Sequence, residues 1–173
     1  MKKAIMISGN LAQDHEFIYP YYRLLEENFD IDVVMLEGKP GLGILGTTLP
    51  PNKEQKVKGI KDARVKDYDL LVLPGGVKAM EKIRQDKDII NFIAEFDKNK
   101  KVIACICSGA QLLISAKIVK GRKIAGYYSM KDDLINAGAD YTDLPAVVDK
   151  NIITTAHYKD MGPWMKATLE KLK

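Results

Sequence analysis

The sequence predicts an α/β fold of three layers, in which helices cover both faces of a mostly parallel sheet. Two observations lead to this prediction. Short β-branched and aliphatic runs alternate along the chain with longer amphipathic segments. The short runs are apolar throughout, with no regular polar alternation, which is typical of parallel strands that are buried on both faces.

Four of these runs predict the strands of the parallel sheet: Ala4 to Ile7, Ile31 to Leu36, Leu70 to Leu73 and Val102 to Ile106. Each is too short for a helix, and most are bounded by Gly, Pro, Asn or Asp, which favour turns. Later in the chain, Ala146 to Val148 and Ile152 to Thr155 flank the tripeptide Asp149-Lys150-Asn151. This pattern predicts two further strands joined by a tight turn.

Four amphipathic segments predict helices: Phe17 to Asn28, Asp86 to Asn99, Ser108 to Ala116 and Met161 to Leu172. In the second of them, Ile89, Phe92 and Phe96 have the spacing of one buried helical face. Pro20 falls in the first turn of the first helix, where a missing N–H costs little. Gly41 to Pro51 is rich in Gly, Thr and Pro and predicts a flap or small hairpin. We find no repeat and no linker, and we expect one domain over residues 1–173.

Composition and charge exclude several classes of protein. The chain has 46% hydrophobic and 29% charged residues, as globular proteins do. Its 27 Lys and Arg and 23 Asp and Glu leave a net charge of +4, and lysines alternate with acids instead of forming a basic stripe. We therefore expect no nucleic-acid partner. No apolar run approaches the roughly 20 residues of a membrane helix, and the apolar stretch at the start is too short for a signal peptide, so we expect no membrane partner.

The cysteines indicate the compartment and argue against a metal. Cys105 and Cys107 lie too close together for an ordinary disulfide, which favours a reducing, cytoplasmic location. A zinc site would need further ligands, and the only histidines are His15 and His157. We expect no metal and no cofactor.

The most informative stretch runs from Lys101 to Ile114, where a buried strand ends at Cys107 and a helix follows at once with small residues. This is the strand-turn-helix pattern of a nucleophile elbow. A thiol there lies at a helix N-terminus, whose partial positive charge favours the reactive thiolate. The alternative is that Cys107 is a small core residue, as most free cysteines are. Cys105, inside the strand, is expected to be buried and inert.

Two further segments follow strands and should reach the same edge of the sheet. Leu73-Pro74-Gly75-Gly76 ends one strand with a backbone free of side chains, so its amides could donate to an oxyanion together with the Ser108 amide. It could equally be an ordinary turn. Asp14-His15-Glu16 follows the first strand, and an acid there either approaches the thiol or only complements the helix dipole. His15 and His157 are candidate general bases, although His15 is expected on the surface.

Together and in this order, these segments resemble the ThiJ/PfpI family over nearly the whole chain, from Lys3 to about Leu172. Glu16 to Tyr21 resembles the acid-bearing helix start of that family, Leu73 to Gly76 its glycine turn, and Ala104 to Gly109 its elbow. Gly121-Arg122-Lys123 and Lys131 to Gly138 are similar to a downstream segment of the protease branch. The resemblance implies a flavodoxin-like sheet with a nucleophile elbow, and a homo-oligomer of two or more subunits.

The resemblance also implies roles for individual residues. Cys107 would be the reactive thiolate and Glu16 a protonated acid that hydrogen-bonds to it. Gly75 and Gly76 with the Ser108 amide would hold an oxyanion, and Tyr127 would line the pocket. Glu81 falls near an acid that some members present across a subunit interface.

The sequence departs from the protease branch at three positions. Ser108 stands where that branch has His after the nucleophile, Tyr128 replaces a Pro, and Ala156-His157 stands where an Arg is expected. The first departure removes an adjacent base, so peptidase or amidase activity is the least favoured of three hypotheses. The first is a cysteine-dependent enzyme, glyoxalase- or deglycase-like, acting on a small carbonyl or related electrophile. The second is a cysteine redox sensor or stress protein without enzymatic activity.

Overall fold

The architecture is organised by one seven-stranded sheet, seen in a computed structural model that describes all 173 residues. Its strands, in chain order, are β1 (Lys3–Ser8), β2 (Asp30–Met35), β5 (Val57–Lys58), β6 (Leu70–Leu73), β7 (Val102–Ile106), β10 (Val147–Asp149) and β11 (Ile152–Thr155). Two small two-stranded sheets pair β3 (Gly41–Leu42) with β4 (Thr48–Leu49), and β8 (Lys123–Ile124) with β9 (Asp140–Tyr141).

The spatial strand order is β10-β11-β7-β6-β1-β2-β5, and only the edge strand β10 runs antiparallel. The five long parallel strands therefore lie in the order β2-β1-β6-β7-β11, which is the flavodoxin-like order. In such a sheet the carboxyl ends of the strands meet at one edge. The predicted mostly parallel α/β sheet is confirmed.

Helices flank the sheet in two groups: α1 (Asp14–Glu26) packs with α6 (Met161–Lys171), whereas α2 (Val77–Ile83), α3 (Lys87–Lys98) and α4 (Ala110–Ser115) pack with one another. A short α5 (Lys131–Asn136) adjoins β9. Asp86 caps α3, because its carboxylate accepts the Asp88 and Ile89 N–H groups. Trp164 of α6 is fully buried and donates its indole N–H to the Ile153 carbonyl of β11, which fixes α6 against the sheet.

The strands are buried because they form the centre of a continuous hydrophobic core. Every residue from Ala4 to Ile7, from Leu70 to Leu73 and from Val102 to Ile106 is buried. This matches the continuous apolar runs of the sequence. No helix of the structure is both long enough and apolar enough to span a bilayer.

The segment Gly41 to Pro51 is a small hairpin, one of the two forms that the sequence predicts. The carboxylate of Asp14 is buried at the start of α1 and accepts N–H bonds from Leu45 at 2.8 Å and Thr47 at 2.9 Å. These bonds outweigh the effect of burial and lower the pKa of Asp14 below its ordinary value. A charged Asp14 thus holds the hairpin against α1, beside the carboxyl edge of the sheet.

Candidate active site

Cys107 lies at a sharp turn between β7 and α4, which is the predicted nucleophile elbow. Its φ is +59°, a conformation that residues other than glycine rarely adopt and that is found at strained functional turns. The following turn is tight, since a Cβ on Gly109 would lie 2.8 Å from the Leu73 carbonyl oxygen and 3.0 Å from Cys105 Sγ. The turn projects the Cys107 side chain into a pocket, where it is partly exposed. Cys105 is only 1% exposed, as the sequence predicts.

Glu16 approaches the same thiol from the first turn of α1. It is 1% exposed, and its Oε2 accepts the Gly75 N–H at 2.9 Å. Its Oε1 is buried and has no hydrogen-bond partner, which is costly for a charged carboxylate. A Cβ on Gly75 would lie 2.3 Å from Glu16 Oε2 and 2.8 Å from Cys107 Cβ, so the bare backbone of Gly75 lets the acid and the thiol come together.

Burial perturbs the titration of both groups. It raises the pKa of Glu16 to about 7, against smaller lowering effects of the Cys107 side chain and the Gly75 N–H. Burial raises the pKa of Cys107 to about 12, and the neighbouring Glu16 charge adds to this rise, whereas the Ser108 N–H and hydroxyl lower it. Two such groups titrate as one pair, which holds a single proton between those values. The sequence suggests only the favourable helix end and does not reveal this opposing burial.

The glycine turn and Ser108 are joined directly. The Gly76 N–H donates to Ser108 Oγ at 2.8 Å, so the structure shows this amide engaged within the protein. Gly76 has a φ of +108°, and a Cβ there would lie 2.6 Å from Ala12 Cα, which explains why the position needs glycine. An oxyanion role for Gly76 stays a prediction, because a substrate oxygen would have to replace the Ser108 hydroxyl as the acceptor.

A pocket of about 430 Å³ opens beside Cys107 at the carboxyl edge of the sheet. Its lining combines Cys107 and Glu16 with Gly76, Ser108, Tyr127 and His157 of the sequence-predicted set, and adds Gln13, Ile44, Val77, Gln111, Ser129, Met130 and Tyr158. Gly75 lies just behind it, against Glu16. The structure therefore brings together all of the predicted site residues except Glu81 and the candidate base His15.

Glu81 and His15 lie apart from the Cys107 pocket. Glu81 is exposed on α2 and lines a different cleft with Arg84, so its predicted place at a subunit interface stays a prediction. His15 is exposed outside the Cys107 pocket, as the sequence predicts, and stacks on Tyr158 with ring centroids 5.3 Å apart.

Sequence reasoning missed several of the residues that line the pocket. Ile44 reaches the pocket because the hairpin is bound to Asp14, a contact between residues 31 to 33 positions apart in sequence. Gln111 lies one helical turn after Cys107, a spacing that would have been a usable signal. Tyr158 directly follows His157 in sequence. Only the folded protein shows that the two rings are in contact and line the same pocket.

Other parts of the surface carry fewer groups that are suited to catalysis. A larger groove of about 810 Å³ lies between the two chain ends, but it is lined by neither a cysteine nor a buried carboxyl group. No three His, Cys, Asp or Glu side chains converge in a geometry suited to a metal ion. The Cys107 pocket is therefore the candidate active site.

Comparison with known proteins identifies relatives along the whole chain. Deglycase PfpI of Pyrococcus furiosus is 34% identical over 171 residues, which cover 99% of both chains. General stress protein 18 of Bacillus subtilis is 34% identical over 164 residues, covering 94% of this chain and 92% of that protein. The solved structure of Schizosaccharomyces pombe DJ-1 superposes with a TM-score of 0.86 over 99% of this chain and 92% of that one, at 20% identity.

The family comparison agrees with these relatives and with the fold. The sequence model of the DJ-1/PfpI family matches residues 2–171, which is nearly the whole chain. It confirms the family resemblance that the elbow, the glycine turn and the acid-bearing helix start indicate. The chain belongs to the DJ-1/PfpI family.

Proposed function

We propose that the protein is a cysteine-dependent enzyme that acts on small electrophilic carbonyl compounds, in the manner of a glyoxalase or deglycase. One observation carries the proposal: a partly exposed thiol on a positive-φ elbow adjoins a buried carboxyl group inside a pocket. The free cysteines suit a reducing, cytoplasmic compartment. The name of the Pyrococcus furiosus relative, a deglycase, supports the same class of substrate.

The chemistry follows from the shared proton of the pair. When Cys107 attacks, its proton passes to Glu16. The acceptor is Oε1, which is buried and has no other hydrogen-bond partner. The sulfur adds to the aldehyde carbon, and the carbonyl π electrons become an alkoxide lone pair. The Ser108 N–H stabilises negative charge at the sulfur and can donate to that alkoxide. Glu16 then returns the proton to the alkoxide, which completes a neutral hemithioacetal.

The site suits this reaction better than it suits peptide hydrolysis. A peptidase needs a base that activates the thiol and then protonates a leaving amine. The position after the nucleophile holds Ser108, whose hydroxyl oxygen accepts from Gly76. An aldehyde has no leaving group, so the single carboxyl of Glu16 suffices for its addition step. The direct test is the conversion of methylglyoxal and water to lactate by the purified protein.

Replacing Glu16 by glutamine tests the shared proton. In the wild-type protein we expect the rate of Cys107 alkylation by iodoacetamide to rise with pH near 7, where Glu16 loses its own proton and can accept that of the thiol during the attack. In Glu16→Gln no carboxyl accepts the thiol proton, and burial alone then raises the thiol pKa above its ordinary value. The midpoint should therefore move upward, which rate-against-pH curves followed by mass spectrometry measure.

The opposite shift would contradict this role. If Glu16 stays charged and only repels the thiolate, then Glu16→Gln removes the repulsion and the midpoint falls. Glu26→Gln is the matched control, because Glu26 is an exposed acid at the other end of α1 and should leave the curve unchanged.

A redox sensor is the second candidate, favoured by the exposure of Cys107 beside a carboxyl group that can hydrogen-bond to an oxidised sulfur. Two molecules of hydrogen peroxide convert a thiol to a sulfinic acid and release two waters. We expect peroxide titration to oxidise Cys107 before the buried Cys105, as peptide mass spectrometry would show. Equal oxidation of the two cysteines would reject the sensor.

A further inference from the structure

One wall of the Cys107 pocket is aromatic and comes from two separate segments. Tyr127 follows β8, whereas His157 and Tyr158 follow β11. The His157 ring centroid lies 4.0 Å from that of Tyr158 and 6.2 Å from that of Tyr127. We call these three residues the aromatic wall. All three line the pocket, and Tyr127 and Tyr158 are 39% and 41% exposed, so their rings are open to a ligand.

The backbone holds the aromatic wall next to the reactive sulfur. The Tyr127 N–H donates to the Cys107 carbonyl at 3.1 Å, which ties the first segment to the elbow. The Ala125 N–H donates to Thr154 Oγ1 at 2.8 Å, which ties it to the end of β11. The backbone that carries Tyr127 is thus tied both to the elbow and to the strand that precedes His157 and Tyr158.

The imidazole of His157 is oriented by the backbone that follows it. Its Nδ1 accepts the Lys159 N–H at 3.2 Å, which fixes the ring relative to that backbone. His157 therefore contributes a flat face between two phenol rings. Such faces favour offset or edge contacts with another flat group.

The rest of the pocket offers an anion no cationic partner. Neither lysine nor arginine lines it, and its only acidic side chain is the buried Glu16. The Lys159 ammonium lies over the Tyr128 ring, 5.9 Å from its centroid, and is fully exposed to solvent. A carboxylate or phosphate placed beside Cys107 would lose its hydration and meet no opposite charge, which is costly.

We propose that this pocket selects uncharged compounds that bear a flat, aromatic or otherwise apolar substituent, and that the aromatic wall binds that substituent while Cys107 reacts. The inference rests on the proposed function for the reacting group, and it adds the class of substituent. Within the carbonyl compounds, arylglyoxals are then preferred over methylglyoxal, and glyoxylate, which carries a carboxylate, is excluded.

Alkylating probes test this selectivity without requiring turnover. Iodoacetamide, N-benzyl iodoacetamide and iodoacetate share one reacting carbon and differ in the attached group. We measure the rate of Cys107 modification by each and divide it by the rate with free glutathione. Relative to iodoacetamide, we expect the benzyl probe to be about tenfold faster, because a stacked ring contributes up to about 1.4 kcal/mol. We expect iodoacetate to be about tenfold slower.

Variants of the aromatic wall localise the effect. His157→Ala and Tyr158→Ala should each reduce the advantage of the benzyl probe over iodoacetamide, which is a ratio of two rates measured in the same variant. Tyr22→Ala is the matched control, because Tyr22 is an exposed tyrosine outside the pocket. An iodoacetate rate equal to that of iodoacetamide, or a benzyl advantage that survives both wall variants, would overturn the inference. So would a faster reaction of a trimethylammonium probe, which would indicate a cation site.

Equilibrium binding separates the failure of this inference from the failure of the proposed function. Benzamide and benzoate have the same flat shape and differ in charge, and both are titrated into Cys107→Ala by NMR. Preferential binding of benzamide, lost in the additional variant Tyr158→Ala, supports the inference even if wild-type Cys107 proves unreactive. Tighter binding of benzoate refutes it even if methylglyoxal is turned over.

Discussion

Replacing Cys107 by alanine is expected to lower kcat/KM for methylglyoxal by about 10⁴-fold or more, because the nucleophile of a covalent mechanism is removed. Alanine keeps the Cβ of the elbow and leaves out only the sulfur. Because the change removes only one partly exposed sulfur, the variant should remain folded. Lactate formation measures the activity and circular dichroism the unfolding temperature.

Cys105→Ala is the matched control for this experiment. Cys105 lies two residues earlier in the same chain, inside β7, and is fully enclosed by the core. Its loss leaves a small cavity and costs about 1 kcal/mol of folding free energy, but it should leave kcat/KM unchanged. Turnover that survives Cys107→Ala, or that is lost equally in Cys105→Ala, would contradict a nucleophilic Cys107.

The sequence predicts the elements whose signals are local. The strands from Leu70 to Leu73 and from Val102 to Ile106 are observed with these same bounds, because continuous burial leaves a continuous apolar run. The two-residue strands β3, β4, β5, β8 and β9 are too short to show any period. The predicted first helix starts at Phe17, whereas α1 begins at Asp14. The polar start of α1 has a structural role, since the Asp14 carboxylate binds the hairpin.

The candidate site also combines features that a local sequence pattern predicts with features that depend on tertiary contacts. The elbow is local, so small residues around Cys107 suffice to predict it. The titration of the pair is not local, because it depends on how deeply Glu16 is buried 91 positions away in sequence. The aromatic wall likewise depends on contacts between segments that follow different strands. Sequence patterns therefore predict the position of Cys107 at the elbow, whereas tertiary packing determines the titration of the thiol and the lining of its pocket.

Replacing Gly75 by alanine is expected to separate the acid from the thiol while both remain in the chain. The added Cβ would lie 2.3 Å from Glu16 Oε2 and 2.8 Å from Cys107 Cβ, so at least one of the two must move. The backbone of Gly75 does not have a positive φ, so alanine causes crowding and not backbone strain. A displacement of about 1 Å in a catalytic pair can cost about 100-fold in rate. We expect that loss in kcat/KM for methylglyoxal.

Gly162→Ala is the matched control, because a Cβ there meets no atom within 4 Å and the residue lies in α6. It should keep full activity, because Gly162 does not line the Cys107 pocket.

A loss of activity in Gly75→Ala could also follow from unfolding, and a second substitution distinguishes the two causes. Glu16→Asp shortens the acid by one methylene, which makes room for the new Cβ without restoring contact with the sulfur. If the acid and the thiol must touch, the double variant Gly75→Ala with Glu16→Asp regains its unfolding temperature and stays inactive. If it regains both, the loss in Gly75→Ala came from destabilisation. In that case, contact between Glu16 and Cys107 is not required for turnover, and the acid serves only to fill the space behind the elbow.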